Sequence, residues 1–294
     1  MKNTWKYARR SLLLAAVVAL ALGCRGNPTT ILTRLEDSRK LSAALQVQLS
    51  QAAEASHRAV MADTDAASVA AAQEAERATK ALETNVATLA QLLEGLSYAR
   101  EAQLLREFRA DFAQYKEIDR RILSLAVENT NLKAQALAFG PASTAASAFC
   151  AALERFGASL PNKDRCRTDG LVAGAIRAVR EIQVLHAPHI AEHDDAAMTR
   201  MEREMNELDA KARAALDALR AAAPGNAPAL AESRAKLDEL KLVTGKLVEL
   251  SRRNTNVLSL DLALRDQPPL AAACADKLRA LSEALAKEGP KAER

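Results

Sequence analysis

Apolar residues recur at intervals of three and four along most of this chain, and nowhere do they alternate with period two. The clearest run is Ile118, Ile122, Leu125, Asn129, Leu132, Ala136 and Phe139, an unbroken 4-3-4-3-4-3 spacing. A second is Leu240, Val243, Leu247, Leu250, Asn254, Val257, Asp261 and Leu264. Each is the a/d seam of a helix packed at a shallow angle against its neighbours. β-branched residues are scattered, so strand signals are absent and the fold class is all-α. Prolines and glycines punctuate the pattern: Pro28, Gly140-Pro141, Pro161, Pro224-Gly225, Pro228 and Pro268-Pro269. The segments between them predict helices over 29–61, 65–97, 99–139 and 142–158, then 168–187, 194–222, 227–266 and 269–287. Asp63-Thr64-Asp65 and Asp194-Asp195 supply short acceptor side chains where helices should begin. A helix of 30 to 40 residues is ~45–60 Å long at 1.5 Å per residue.

These eight helices form two sets. Leu125-Ala-Val-Glu-Asn129-Thr130-Asn131 returns as Leu250-Ser-Arg-Arg-Asn254-Thr255-Asn256, a shift of 125 residues that also aligns Leu137-Ala138 with Leu262-Ala263. Upstream, Asp65-Ala66-Ala67 parallels Asp195-Ala196-Ala197 at a shift of 130. An internal repeat sets the architecture. The expectation is two tandem up-down helical bundles, elongated, over residues 31–160 and 165–288.

Charge changes the picture only once the first residues are set apart. Lys2, Lys6, Arg9 and Arg10 precede an apolar run from Leu12 to Leu22 that ends Leu20-Ala-Leu-Gly-Cys24. A basic n-region, an apolar core and small residues before the cut define a secretory signal, too short to remain as a membrane span. The terminal Gly23-Cys24 resembles a bacterial lipoprotein signal, which implies cleavage after residue 23, lipid on Cys24 and a tether over 24–30. Arg9-Arg10-Ser-Leu-Leu resembles a twin-arginine export signal. Arg25, where Asp would resemble an inner-membrane retention signal, points to the outer membrane, facing the periplasm. The formal charge of +4 belongs to residues 1–23, and the remainder carries 37 basic and 37 acidic residues. Such a balance has no electrostatic footprint for nucleic acid. No second apolar stretch is read as spanning a membrane.

Candidate chemistry is sparse. Cys150, Cys166 and Cys274 remain after Cys24, and an oxidising envelope permits disulfides. Cys150 and Cys166 flank a turn-like run, and a bridge between them would close a loop worth ~3 kcal/mol; Cys274 reads as a small buried apolar residue. Asn129 and Asn254 occupy matching seam positions, where a buried amide must have its hydrogen bonds satisfied. Either they fix register between helices, in which case leucine in their place should stabilise, or they line a polar ligand pocket. His186, His189 and His193 fall at i, i+3 and i+7, a spacing that lets imidazoles converge on zinc, copper or nickel, although Pro188 should break the shared face. No metal and no cofactor is assigned from the sequence. No hydrolase elbow, phosphate-cradling Gly-rich loop, His-Glu-x-x-His or paired Cys-x-x-Cys is present, so catalysis is not expected.

The segment from Phe112 to Pro141, with Ile118-Asp119, Leu123-Ser-Leu-Ala-Val-Glu-Asn-Thr-Asn and Phe139-Gly140-Pro141, resembles the periplasmic four-helix-bundle sensor domains of bacterial methyl-accepting chemotaxis receptors. The two-module form is similar to the helical bimodular sensors, which bind small organic acids. Those receptors have two membrane helices and a cytoplasmic signalling region, so transmembrane signalling is not expected of this chain alone. Taken with the lipoprotein-like signal, the resemblance implies a non-catalytic, lipid-anchored protein that binds a small solute at the bundle. The alternative is a structural lipoprotein presenting helix faces to an envelope protein, and a second copy is a further candidate partner.

Overall fold

The computed structural model describes residues 28–289, without the side chains of 28, 162–164, 166 and 167. The signal of residues 1–23 and the lipid site Cys24 lie outside the described residues, as does most of the tether. The all-α expectation is met: the described residues are helices and short connections, without a strand. In chain order these are α1 (Pro28–Val60), α2 (Asp65–Gly95), α3 (Ala99–Glu128), α4 (Thr130–Leu137), a π-helical turn (Ala138–Ala142) and α5 (Ser143–Ser159). They continue as α6 (Asn162–Ala191), α7 (Asp195–Ala222), a 3-10 turn (Pro224–Ala229), α8 (Leu230–Arg253), α9 (Thr255–Arg265) and α10 (Gln267–Lys287). The expected caps form: Thr64 Oγ1 accepts from Ala67 N at 3.2 Å, and Asp194 Oδ1 from Ala197 N at 2.6 Å.

Two compact units are present, and they do not follow the repeat. The first comprises residues up to 55, 74–117 and the segment from Gln267; the second comprises 56–73 and 118–266. In the first, α1 buries Leu35, Ser38, Ser42, Leu45, Leu49 and Ala52, a strict heptad stripe. Against it pack Leu82, Val86, Leu89 and Leu93 of α2, Leu105, Phe108, Phe112 and Tyr115 of α3, and Cys274, Leu278, Leu281 and Leu285 of α10. The aromatic rings of α3 stack, with centroids 5.4 Å apart for Phe108–Phe112 and 6.0 Å for Phe112–Tyr115. Polar contacts fix the register of α10. Gln46 Nε2 donates to Ser282 Oγ at 2.8 Å, while Arg39 Nε donates to Leu285 O at 3.0 Å and Arg39 Nη2 to Glu288 O at 2.7 Å, taking up carbonyls left free at a helix end.

In the second unit, α5 supplies Phe149, Leu153 and Phe156 to a core with Val179 and Ile182 of α6, Leu208 and Leu216 of α7, and Leu237 and Leu240 of α8. The fourth helix of each repeat therefore packs with the first three helices of the other. A boundary near residues 160–165 is corrected by this exchange, because heptad spacing specifies that a helix packs and not which of two similar bundles receives it.

Three further expectations need correction. The stripe through Asn129 ends at that residue, and beyond it the buried positions are Thr130, Asn131, Ala134, Ala138 and Ala142, while Phe139 is 71% exposed. Gly140-Pro141 does not stop the helix, because a π-helical turn takes up the missing amide. The helical stretch Ala99–Ser159 holds an 18-residue window of mean hydropathy 1.4, long and apolar enough to cross a membrane by composition. Its Ala142, Ala145, Ala146, Phe149 and Leu153 lie in the second core, which accounts for that hydropathy.

Candidate functional site

The repeated Asn-Thr-Asn motifs meet each other. Asn129 (φ 50°, ψ 41°) and Asn254 (φ 52°, ψ 34°) are both left-handed, and each breaks a long helix at the same repeat position. Asparagine tolerates this conformation better than any β-branched or bulky residue. The freed amides are then satisfied across the crossing. Thr130 N donates to Thr255 Oγ1 at 3.2 Å, and Thr255 N to Thr130 Oγ1 at 3.1 Å. Asn131 N donates to Asn256 Oδ1 at 3.1 Å, and Asn256 N to Asn131 Oδ1 at 3.2 Å. Asn131 Nδ2 reaches Asn254 Oδ1 at 2.8 Å, and Asn256 Nδ2 reaches Asn129 Oδ1 at 3.0 Å. Glu128 and Arg253, also related by the repeat, close the edge with a 2.5 Å ion pair. Each of these bonds between the motifs has its mirror, so the motifs are related by a local pseudo-two-fold axis, which the bonds of Asn131 Nδ2 to Ile190 O (2.7 Å) and Asn254 Nδ2 to Glu192 O (2.9 Å) do not obey. Asn129 and Asn254 serve this junction, and neither lines the cavities described below.

A second buried polar group belongs to one repeat only. His186 and His189 share the inward face of α6, which runs through Pro188 to Ala191 with Val184, four residues earlier, exposed. His186 Nε2 lies 3.1 Å from Thr244 Oγ1, and His189 bridges Ser251 Oγ (Nδ1, 2.9 Å) and Glu202 Oε1 (Nε2, 3.0 Å). Arg252 Nε donates to Glu202 at 2.6 Å. Burial opposes ionisation of Glu202, but the hydrogen bonds from Arg252 and His189 outweigh it and hold the carboxyl below its ordinary range. Burial pushes the His186 imidazole down to about 4, with His189 adding to the effect, so His186 is neutral at pH 7.

The Ser251–His189–Glu202 connectivity is that of a hydrolytic triad, but its serine is closed off inside the bundle. Ser251 is fully buried, and its hydroxyl also lies 2.8 Å from His189 O, a competing acceptor for its single proton. In the other repeat, His189, Glu202 and Ser251 correspond to Ala59, Ala72 and Ala126 at the shifts of 130 and 125. There, Ser68 Oγ spans Ala59 O and Ala126 O at 3.1 and 3.0 Å. His186 corresponds to Ser56 and Thr244 to Asp119, and Ser56 donates to Asp119. What the repeats share is architecture; the histidine cluster is what they do not.

His193 lies beyond the end of α6, its side chain 78% exposed beside Glu192. The three imidazoles therefore do not converge, and among the described residues no group of three or more His, Cys, Asp or Glu is placed to hold a metal ion. Cys150, expected to bridge Cys166, carries a free thiol turned into the core beside Phe149 and Leu153; the Cys166 side chain lies outside the described residues. Burial raises the Cys150 thiol and pushes that of Cys274 up to about 12.

Two cavities flank the His186–Thr244 pair. Thr244 lines the smaller, of about 240 Å³, whose Glu202, Asp209 and Lys241 are already paired with Arg252, Arg213 and Asn206. His186 lines the larger, of about 410 Å³, which opens beside the π-helical turn. Its polar lining is Gln135, Ser143, Arg180, Gln183 and His186, without a carboxylate among the described residues, and the exposed Phe139 and Val184 stand at it as well. His186 is 1% exposed, and its Nδ1 has no hydrogen-bond partner. The wall thus combines apolar surface, one guanidinium and a few neutral hydrogen-bonding groups, a composition that suits a small organic molecule with a negative end. The sequence flagged His186 only as a metal ligand; Arg180, Gln183 and the π turn carried no signal of their own. Comparison of the chain with family models, with curated proteins and with solved structures finds no match in any of the three.

Proposed function

We propose that this chain is a non-catalytic, lipid-anchored protein of the bacterial envelope, facing the periplasm, that binds a small organic acid in the cavity beside the π-helical turn. The observation that carries the reading is the lining of that cavity: Arg180 and neutral polar groups over an apolar floor, with no carboxylate among the described residues to repel an anion. π-helical turns frequently mark functional sites, and bundles commonly bind ligands between helices. The resemblance to chemoreceptor sensor domains points the same way. Lipid on Cys24 would hold the bundle at a membrane, most simply the outer one, and any message would need another protein to carry it.

The test is a thermal-shift screen of the full chain in detergent against small organic acids, amino acids and divalent metals. A ligand present at 100 times its dissociation constant should stabilise by about 2.7 kcal/mol. Arg180→Ala should remove the shift without lowering the melting temperature of the free protein, since Arg180 is exposed and donates to the neighbouring Gln183. A flat response across the panel would sink the reading. The competing reading, a structural lipoprotein that docks on an envelope partner, draws on the exposed Phe139 and Val184. It predicts a specific cross-link through residues 139 or 184 and no ligand response.

A further inference from the structure

The proposed site holds one atom that the protein leaves unsatisfied. His186 is buried, and its Nε2 is bound to Thr244, yet Nδ1 has no partner. Leaving a buried ring nitrogen unpaired is costly, and native proteins rarely do so without a reason. The repeat-related pair is made in both halves, Ser56 to Asp119 and His186 Nε2 to Thr244, so Nδ1 is the polar atom that histidine adds at this position.

We infer that His186 Nδ1 is the hydrogen-bonding partner of the bound solute, and that the solute is a hydroxylated organic acid. The inference rests on the solute-binding reading above and adds the chemistry of a second anchor point. In a neutral imidazole one nitrogen donates and the other accepts, and Thr244 can play either role toward Nε2. If Nε2 donates to Thr244, Nδ1 needs a donor; if Thr244 donates to Nε2, Nδ1 needs an acceptor. A hydroxyl group is both, so it satisfies Nδ1 in either tautomer. A carboxylate serves only one tautomer and is better placed against Arg180 in the same wall. A solute with a carboxylate at Arg180, a hydroxyl at His186 and an apolar body in contact with Phe139 and Val184 uses each group the cavity offers. An unsubstituted alkanoate leaves Nδ1 unpaired.

The experiment compares α-hydroxyisovalerate with isovalerate, titrated by calorimetry into the full chain in detergent. The expected result is binding of the hydroxy acid at least about tenfold tighter, the factor that one recovered hydrogen bond of roughly 1.4 kcal/mol supplies. His186→Gln is the matched variant, because its amide can occupy the Nε2 position and keep the Thr244 contact while deleting Nδ1. It should bring the two affinities together. Should His186→Gln fold poorly, nitrogen NMR of the wild-type imidazole gives a second readout: its Nδ1 signal should move with the hydroxy acid and stay with isovalerate. Equal affinities in the wild type, or a preference that survives His186→Gln, overturns the role of Nδ1 while leaving the organic-acid site standing. Loss of binding of both acids on Arg180→Ala together with a preserved preference for the hydroxy acid in His186→Gln has the same meaning. If neither acid binds the wild type and the wider panel is also silent, both readings fall.

Discussion

Acidification should destabilise this protein through His186 before its carboxylates begin to protonate. The folded imidazole is held at about 4 against an ordinary 6.5, because burial disfavours its charged form and His189 lies close by. An unfolded chain takes up a proton at this side chain as pH falls through 6.5, while the folded chain does not until about 4. Between those values the unfolded state binds more protons, so stability must fall with pH. The His186 contribution is fully present above pH 6.5, is lost progressively down to about 4, and is constant below. At 1.36 kcal/mol per pH unit the whole span comes to about 3 kcal/mol, of which about 1 kcal/mol should be lost by pH 5.5. The assay is urea denaturation followed by circular dichroism, for the wild type and His186→Gln, at intervals from pH 7.5 to 4. Only the difference in pH dependence matters, since the substitution also changes the absolute stability. Identical pH profiles for the two proteins would refute the account, because every other titrating group is common to both. A profile that steepens only below pH 4.5 would assign the acid sensitivity to carboxylates such as Glu202, whose depressed value places its loss there.

Two other expectations test the architecture. Leu281 of α10 is fully buried in the first unit, so Leu281→Ala should cost about 2–5 kcal/mol. Hydrogen exchange should then show lost protection over residues 28–55 and 74–117 before 195–222; loss confined to 195–222 would contradict the helix exchange. At the crossing, Asn129→Leu and Asn254→Leu should each destabilise, by about 1–2 kcal/mol for the left-handed backbone alone, where a simple seam asparagine would gain from leucine. Equilibrium denaturation reads the sign directly, and stabilisation by either change would overturn the reading of these residues as a backbone junction.

The legible part of this fold was its periodicity. Heptad spacing in α1, α3 and α8 follows from the rise of a helix and the need to bury one face, and both are local. The limits show where locality ends. The stripe through Asn129 continues faultlessly in sequence to Phe139, but a left-handed residue rotates everything after it, so Phe139 faces solvent and Ala138 is buried. No pattern of apolar residues can report a single backbone angle, although an Asn at a seam position, repeated 125 residues later, was a signal that something there was not ordinary. The cavity was less legible still. Arg180 and Gln183 look like any solvated helix face, and they gain meaning only because α4 and the π turn pass beside them. His186 was visible as a histidine, but its unpaired nitrogen exists only relative to Thr244, fifty-eight residues away.

By itself, the sequence determined that the chain is helical, that it is doubled, and that its Asn-Thr-Asn motifs matter. Each of these depends on residue type and spacing along one dimension. Tertiary structure alone decided which bundle receives α5 and α10, how the two motifs bond to one another, and that His186 Nδ1 is left without a partner. The physical reason is common to all three. Similar apolar faces are interchangeable in burial free energy, so the choice between them is made by polar contacts such as Arg39 on Leu285 and Thr130 on Thr255, whose geometry exists only after the chain has folded.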